Sequence, residues 1–163
     1  MEEYWDIYDE NRVFQNRTIR RGDAFADGEY YVCCEVWFKN SKGEMLITQR
    51  HPSKKAGGLW EFVGGGVLAG ETTAQASVRE VKEEIGITVA EGELSLIHVY
   101  RQRNYFIDIY LVKKDVDIQS LVLDKNETVN VQWVSKEELQ AKVEKQEFVR
   151  SVARRFDLLK DKL

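Results

Sequence analysis

Apolar positions along the chain follow two different periods, and the change from one to the other locates the elements. Runs of β-formers or alternating positions mark residues 4–9, 30–39, 45–49, 59–63, 94–100, 105–112 and 128–134 as strands. Asn40-Ser-Lys-Gly43 is a turn signal, so the strands on either side of it read as a hairpin. Residues 11–28 are polar and rich in arginine and read as a hairpin or loop, so that 1–28 can form an N-terminal hairpin. A loop at 51–58 leads to the strand at 59–63, and Gly64-Gly65-Gly66 follows it. Over 72–85 the period becomes helical. Ala74, Val78, Val81 and Ile85 recur at intervals of 4, 3 and 4, which predicts a helix buried on its Val78, Val81 and Ile85 side. Thr72 with Gln75 matches a capping box, and Gly86 supplies the stop. Ser135 with Glu138 opens a helical tail over 135–163, in which Phe148, Val152, Phe156, Leu159 and Leu163 make an apolar stripe. Strands outnumber helices, and the pattern predicts one α+β domain spanning 1–163.

Composition narrows what such a domain can do. Its 163 residues suffice to bury a sizeable core. With 24 basic and 28 acidic residues the net charge is −4, and no basic block is present. Tight binding to nucleic acid through phosphate neutralisation is therefore not expected. No apolar run approaches the roughly 20 residues of a membrane helix, so no membrane partner is expected. The acidic start, Met1-Glu-Glu-Tyr-Trp, lacks an apolar signal core. Cys33 and Cys34 are adjacent, so in an extended segment they point to opposite faces and do not bond each other. With two distant histidines, His51 and His98, and no Cys-x-x-Cys, a zinc site is not expected. A reducing cytoplasm is the simplest location.

The chemistry concentrates between Gly65 and Ile87. Glu80, Glu83 and Glu84 lie three and four residues apart on the predicted helix, within a sector roughly 100° wide. Like charges so placed repel by ~0.2–0.5 kcal/mol per pair, a local conflict that calls for compensation elsewhere. Carboxylate oxygens are hard ligands, suited to Mg²⁺ or Mn²⁺ rather than zinc. The three glycines upstream admit a ligand close to the backbone, and the helix N-terminus favours an anion. Taken alone, the glutamates also read as a solvated acidic face beside a glycine turn.

The spacing as a whole is more specific. Gly65, five residues, Glu71, seven residues, then Arg79-Glu80-Val81-Lys82-Glu83-Glu84-Ile85-Gly86-Ile87 matches every fixed position of the Nudix box. The sequence resembles the Nudix hydrolase superfamily, and the Gly58-Leu-Trp60-Glu-Phe62 strand and the late Trp133-Val-Ser-Lys-Glu-Glu stretch resemble it too. The resemblance implies an α/β/α sandwich around a mixed sheet, with the box as a loop–helix–loop. It also implies hydrolysis of a nucleoside diphosphate linked to another moiety, with Mg²⁺ or Mn²⁺ as cofactor and a small nucleotide-type diphosphate as partner. Carried over residue by residue, Glu80, Glu83 and Glu84 would ligate the metal, with the Gly64 or Gly65 carbonyl adding another oxygen. Arg79 would orient the glutamates and pair with Glu71. One departure is Val63, where the family often has proline; this affects loop stiffness rather than metal chemistry.

Outside the box the signals are two-sided. Glu127 is a candidate outside carboxylate or a solvated loop acid. Arg50, Lys54 and Lys55 are candidates for holding phosphate or a solvated basic loop, and Trp60 and Phe62 for stacking on a base or for sheet core. His98, in a predicted strand, reads as packed. The start around Trp5-Asp-Ile-Tyr8 is similar to isopentenyl diphosphate isomerase-like members. Those isomerases, however, carry Cys-Gly-His where this chain has Gly64-Gly65-Gly66, and a metal-binding histidine where it has Tyr30-Tyr31. A non-catalytic nucleotide-binding module would be expected to have lost box glutamates, and none is missing. The sequence leaves room for a homodimer and does not name the substrate.

Overall fold

The computed structural model describes residues 2–163, so the first residue of the expected N-terminal hairpin, Met1, lies outside the described residues. In chain order the strands and helices are β1 (Tyr4–Tyr8), β2 (Phe14–Arg20), β3 (Tyr31–Lys39), β4 (Met45–Arg50), β5 (Trp60–Glu61), β6 (Val63–Gly66), α1 (Thr73–Ile85), β7 (Ser95–Gln102), β8 (Tyr105–Lys113), β9 (Thr128–Val134), α2 (Lys136–Glu144) and α3 (Arg150–Leu159). Hydrogen bonding runs in the order β5-β4-β3-β8-β7 through one sheet, with β6 on β3 and β9 on β4, while β1 and β2 form a separate ribbon. The architecture is the expected α+β sandwich with a mixed sheet. No helix among the described residues is long and apolar enough to cross a membrane.

The chain divides into two compact units. One takes residues up to Val36, Gly64–Val81 and Thr88–Val112; the other takes Trp37–Val63, Lys82–Ile87 and Lys113–Leu163. In the first, β1 and β2 are antiparallel, with Trp5 opposite Ile19 and Asp6 opposite Thr18, and the register shifts before Tyr8 meets Phe14. Asn16 takes a φ of 53° within that shift, a left-handed conformation that asparagine tolerates better than most residues. The polar, arginine-rich composition of 11–28 follows from exposure, because six of the seven β2 residues face solvent. Tyr30, Val32, Cys34, Val67, Ala76 and Phe106 form a buried cluster joining β3, α1 and β8. In the second unit β4 is antiparallel to both β5 and β9. Trp37 stacks on Phe62 at 4.5 Å, and Phe148 and Phe156 complete that ring cluster.

Three expectations change. The single strand at 59–63 is two strands: Trp60–Glu61 pairs with β4, whereas Val63–Gly66 pairs with β3. The glycines are thus strand rather than loop, and Gly64 shows why. A Cβ there would lie 2.2 Å from the Cys34 carbonyl oxygen, so only glycine lets the backbones approach this closely. Second, the helical tail is broken between Glu144 and Arg150. Gln146 has a φ of 60°, and the following segment pairs with Trp60, whose N–H donates to the Glu147 carbonyl at 2.8 Å and whose carbonyl accepts from Val149 at 2.9 Å. Phe148 therefore reaches the apolar stripe from an extended segment. Third, the buried side of α1 is rotated. Val81 and Ile85 are fully buried as expected, but Ser77 and Glu84 share that side, while Val78 is only half-buried.

Candidate active site

Helix α1 begins as its sequence predicts. The Thr72 hydroxyl accepts the Gln75 N–H at 3.1 Å, and Gln75 Oε1 accepts the Thr72 N–H at 3.0 Å. At the other end Gly86 takes a φ of 74° and stops the helix. These caps fix the axial position of every box residue between them.

Arg79 is the hub. Its Nε donates to Glu71 Oε1 at 2.8 Å and its Nη2 to Oε2 at 2.9 Å, a two-pronged pair of the kind guanidinium geometry favours. Nη1 donates to Glu80 Oε1 at 2.7 Å, and Nη2 reaches the Gly66 carbonyl at 3.0 Å. Glu71 is held from behind by the Leu68 N–H, at 3.0 Å. Burial acts to raise the Glu71 pKa, but the Arg79 and Leu68 hydrogen bonds outweigh it and the carboxyl ends below its ordinary value. Arg79 is correspondingly raised, first by its hydrogen bonds to Glu71. This sets a pH dependence. A lowered carboxylate pKa adds stability above the unfolded value of about 4.5, and that stability disappears as pH falls through the folded value. The melting-temperature gap between the parent and Glu71→Gln should therefore narrow as pH drops below about 4.5. A gap that stays constant through that range would show that Glu71 is not held by charge.

Glu80 lies directly over Gly65, where an added Cβ would sit 2.4–2.7 Å from its carboxylate atoms. The glycine is thus a cradle for that carboxylate. Glu84 is buried, 9% exposed, and its carbonyl accepts the Asp124 N–H at 3.0 Å; Glu83 is exposed. Among the described residues no group of three or more His, Cys, Asp or Glu side chains is disposed to hold a metal ion. The donor chemistry nonetheless fits a hard divalent cation: carboxylates on one helix, beside a glycine cradle that a Cβ would fill.

The remaining candidates have contacts of their own. Arg50 donates to both Glu61 oxygens, at 2.7 and 2.8 Å, and through Nε to the Lys55 carbonyl at 2.9 Å. Lys54 is ion-paired with Glu127, whose carbonyl also accepts the His51 N–H at 2.8 Å. The Lys55 side chain is exposed. Trp60 and Phe62 are 6% and 2% exposed and pack as core, with Lys142 Nζ 4.9 Å from the Trp60 ring centroid. The structure thus joins Glu71, Arg79 and Glu80 with the glycine strand, and joins Lys54 with Glu127 and Arg50 with Glu61 as separate pairs.

Sequence reasoning missed Asp108. It is 4% exposed, takes two hydrogen bonds from Arg12 at 2.6 and 2.8 Å, and accepts the Thr73 hydroxyl at 2.7 Å. Thr73 also meets the Tyr110 hydroxyl at 2.6 Å. The available signal was an acid inside the apolar run Phe106-Ile-Asp108-Ile-Tyr110, because a buried charge needs a partner. Its effect is to tie the N-terminal hairpin to the first residue of α1.

A Nudix domain model matches residues 32–156. An uncharacterised Nudix hydrolase of Listeria innocua is 36% identical over 149 residues, covering 90% of this chain and 88% of the relative. An RNA pyrophosphohydrolase of Novosphingobium aromaticivorans is 28% identical, covering 72% of this chain and 84% of its own. Among solved structures, DR0079 from Deinococcus radiodurans aligns with a TM-score of 0.77 and 23% identity, covering 94% of this chain and 98% of that one.

Proposed function

The chain belongs to the Nudix hydrolase family, an enzyme family of small nucleotide-derived substrates, and on that premise we propose that it is a divalent-metal-dependent diphosphohydrolase. Its substrate would be a nucleoside diphosphate linked to another moiety, cleaved by attack of water on phosphorus. The observation that carries this reading is the continuous Glu71–Arg79–Glu80 contact chain, with Glu80 cradled on Gly65. Relatives named CTP pyrophosphohydrolase and 8-oxo-dGTP diphosphatase support the same bond type.

Glu80, Glu83 and Glu84 would hold Mg²⁺ or Mn²⁺, with a Gly64 or Gly65 carbonyl as a further oxygen. When bound, the ion supplies charge neutralisation for the diphosphate oxygens and a lowered pKa for the attacking water. Arg79 neutralises Glu71 and steers the Glu80 carboxylate, so the repulsion among the box acids is offset before any cation arrives. A box glutamate, or Glu127 once released from Lys54, would take the proton from water. Residues 1–163 would make up one Nudix domain, located in a reducing cytoplasm.

The test is a panel of nucleoside diphosphate derivatives incubated with Mg²⁺ and with Mn²⁺, with the products identified. A nucleoside monophosphate and the phosphorylated second moiety are expected. Isopentenyl diphosphate should remain unisomerised, because glycines stand where the isomerase thiol and imidazole belong. Cleavage of no panel member, or turnover to the dimethylallyl isomer, overturns the reading.

A further inference from the structure

The Nudix domain model begins at residue 32, yet the strand that holds the box's entry loop comes from before it. Three consecutive β1 residues reach the segment from Gly66 to Gly70. The Tyr4 carbonyl accepts the Ala69 N–H at 2.8 Å, and Asp6 Oδ2 accepts the Gly70 N–H at 2.9 Å. Between them the Trp5 indole lies against Gly66, where a Cβ would be 2.6 Å from Nε1 and 2.9 Å from Cε2. That Nε1 is buried and has no hydrogen-bond partner among the described residues. A donor left unmade is a cost that packing must outweigh, and the packing is visible. The Trp5 ring stacks on Tyr31 at 4.6 Å with 7° between planes, and Phe25 stacks on Tyr31 at 5.0 Å.

The same short segment is gripped from the other side by the site. Gly66 gives its carbonyl to Arg79, and Leu68 gives its N–H to Glu71. The hairpin carrying β1 is itself fixed. Tyr8 and Tyr30 exchange two backbone hydrogen bonds at 2.8 Å, and Arg12 is clamped on Asp108. The Gly66–Glu71 ribbon is therefore held between β1 and Arg79.

We propose that β1 is a positioning strap for the active site, with Trp5 and Asp6 as positioning residues. Holding the ribbon fixes where Glu71 presents its carboxylate, which fixes Arg79, and through Arg79 the Glu80 carboxylate. Resting on the diphosphohydrolase reading, the inference adds that an element outside the family's matched domain sets the geometry of the metal-binding side. Displacements of an ångström at a reacting centre cost orders of magnitude in rate, so losing the strap lowers kcat by roughly ten- to hundredfold. KM changes by less than about a factor of two, because substrate contacts stay.

The experiment compares Trp5→Ala, Asp6→Ala and Asp6→Asn in the full chain. Turnover on a cleaved panel substrate, Mn²⁺ affinity of the substrate-free protein by electron paramagnetic resonance, and amide exchange at Ala69 and Gly70 are read for each. Both alanine variants should lose kcat and Mn²⁺ affinity and expose the two amides. Asp6→Asn, which keeps an acceptor oxygen, should restore all three. If Trp5→Ala does not fold, the Asp6 pair decides. Parental kcat in the alanine variants, an Asp6→Asn as impaired as Asp6→Ala, or unchanged exchange overturns the strap. If the parent itself neither cleaves the panel nor binds Mn²⁺, the diphosphohydrolase reading falls, and amide exchange still decides whether β1 holds the ribbon.

Discussion

Replacing Glu83 with glutamine should cut turnover by about 10²–10³ while leaving the metal-free protein folded. Glu83 is exposed on α1, so an isosteric neutral side chain there disturbs no core packing, and it relieves repulsion from neighbouring Glu80 and Glu84. If the three glutamates only decorated a solvated face, activity would not notice. As ligands they differ: removing one charge from the reacting centre forfeits about 3–4 kcal/mol of electrostatic stabilisation, at ~1.4 kcal/mol per factor of ten. Mg²⁺ or Mn²⁺ should also raise the melting temperature of the parent more than that of Glu83→Gln, because binding to the native state stabilises it by mass action. A variant as fast as the parent on a cleaved substrate, or a parent indifferent to EDTA, would contradict the ligand role.

Adjacent glycines should respond in opposite ways to the same added methyl group. At Gly64 the new Cβ would meet main chain, the Cys34 carbonyl oxygen at 2.2 Å and the Glu35 Cα at 2.9 Å. Neither can move without parting β6 from β3. Overpacking of this kind costs about 3 kcal/mol or more, roughly 6–12 °C in a chain of this size. At Gly65 the new Cβ would meet the Glu80 carboxylate at 2.4–2.7 Å, the mobile end of a side chain. The carboxylate can swing aside at small cost in stability, but then it leaves both its cradle and Arg79 Nη1. Gly65→Ala should therefore melt within a few degrees of the parent yet lose most of its turnover and metal response. Melting curves and kinetics of the two variants check this directly. Equal losses of stability would mean that Gly65 serves the strand rather than Glu80.

Much of the site was legible because helices and their caps are local. Thr72, Gln75 and Gly86 set the ends of α1, and the spacing then brings Arg79, Glu80, Glu83 and Glu84 onto a predictable part of its surface. The Arg79–Glu71 pair followed from the box pattern rather than from any local rule. The strand at Thr128–Val134 and the capping box at Ser135 came out as read, since turn chemistry and β-propensity act within a few residues.

The rest depended on contacts between distant parts of the chain. Leu59 to Gly66 offers no local reason to change sheet partner at Phe62; the change comes from Gly64 meeting Cys34 on β3. Arg50 and Lys54 read as basic, but only folding showed their charges committed to Glu61 and Glu127. Asp108 was missed because its partner, Arg12, lies 96 positions away. Residues 4–9 read as a strand, but nothing local tells that Trp5 and Asp6 meet the segment from Gly66 to Gly70. Period, capping and the spacing of box residues are short-range, so the amino-acid order determined them. Which backbone lies against a glycine, and which charge a given arginine meets, is settled by packing over long sequence separations, and that the tertiary structure alone decided.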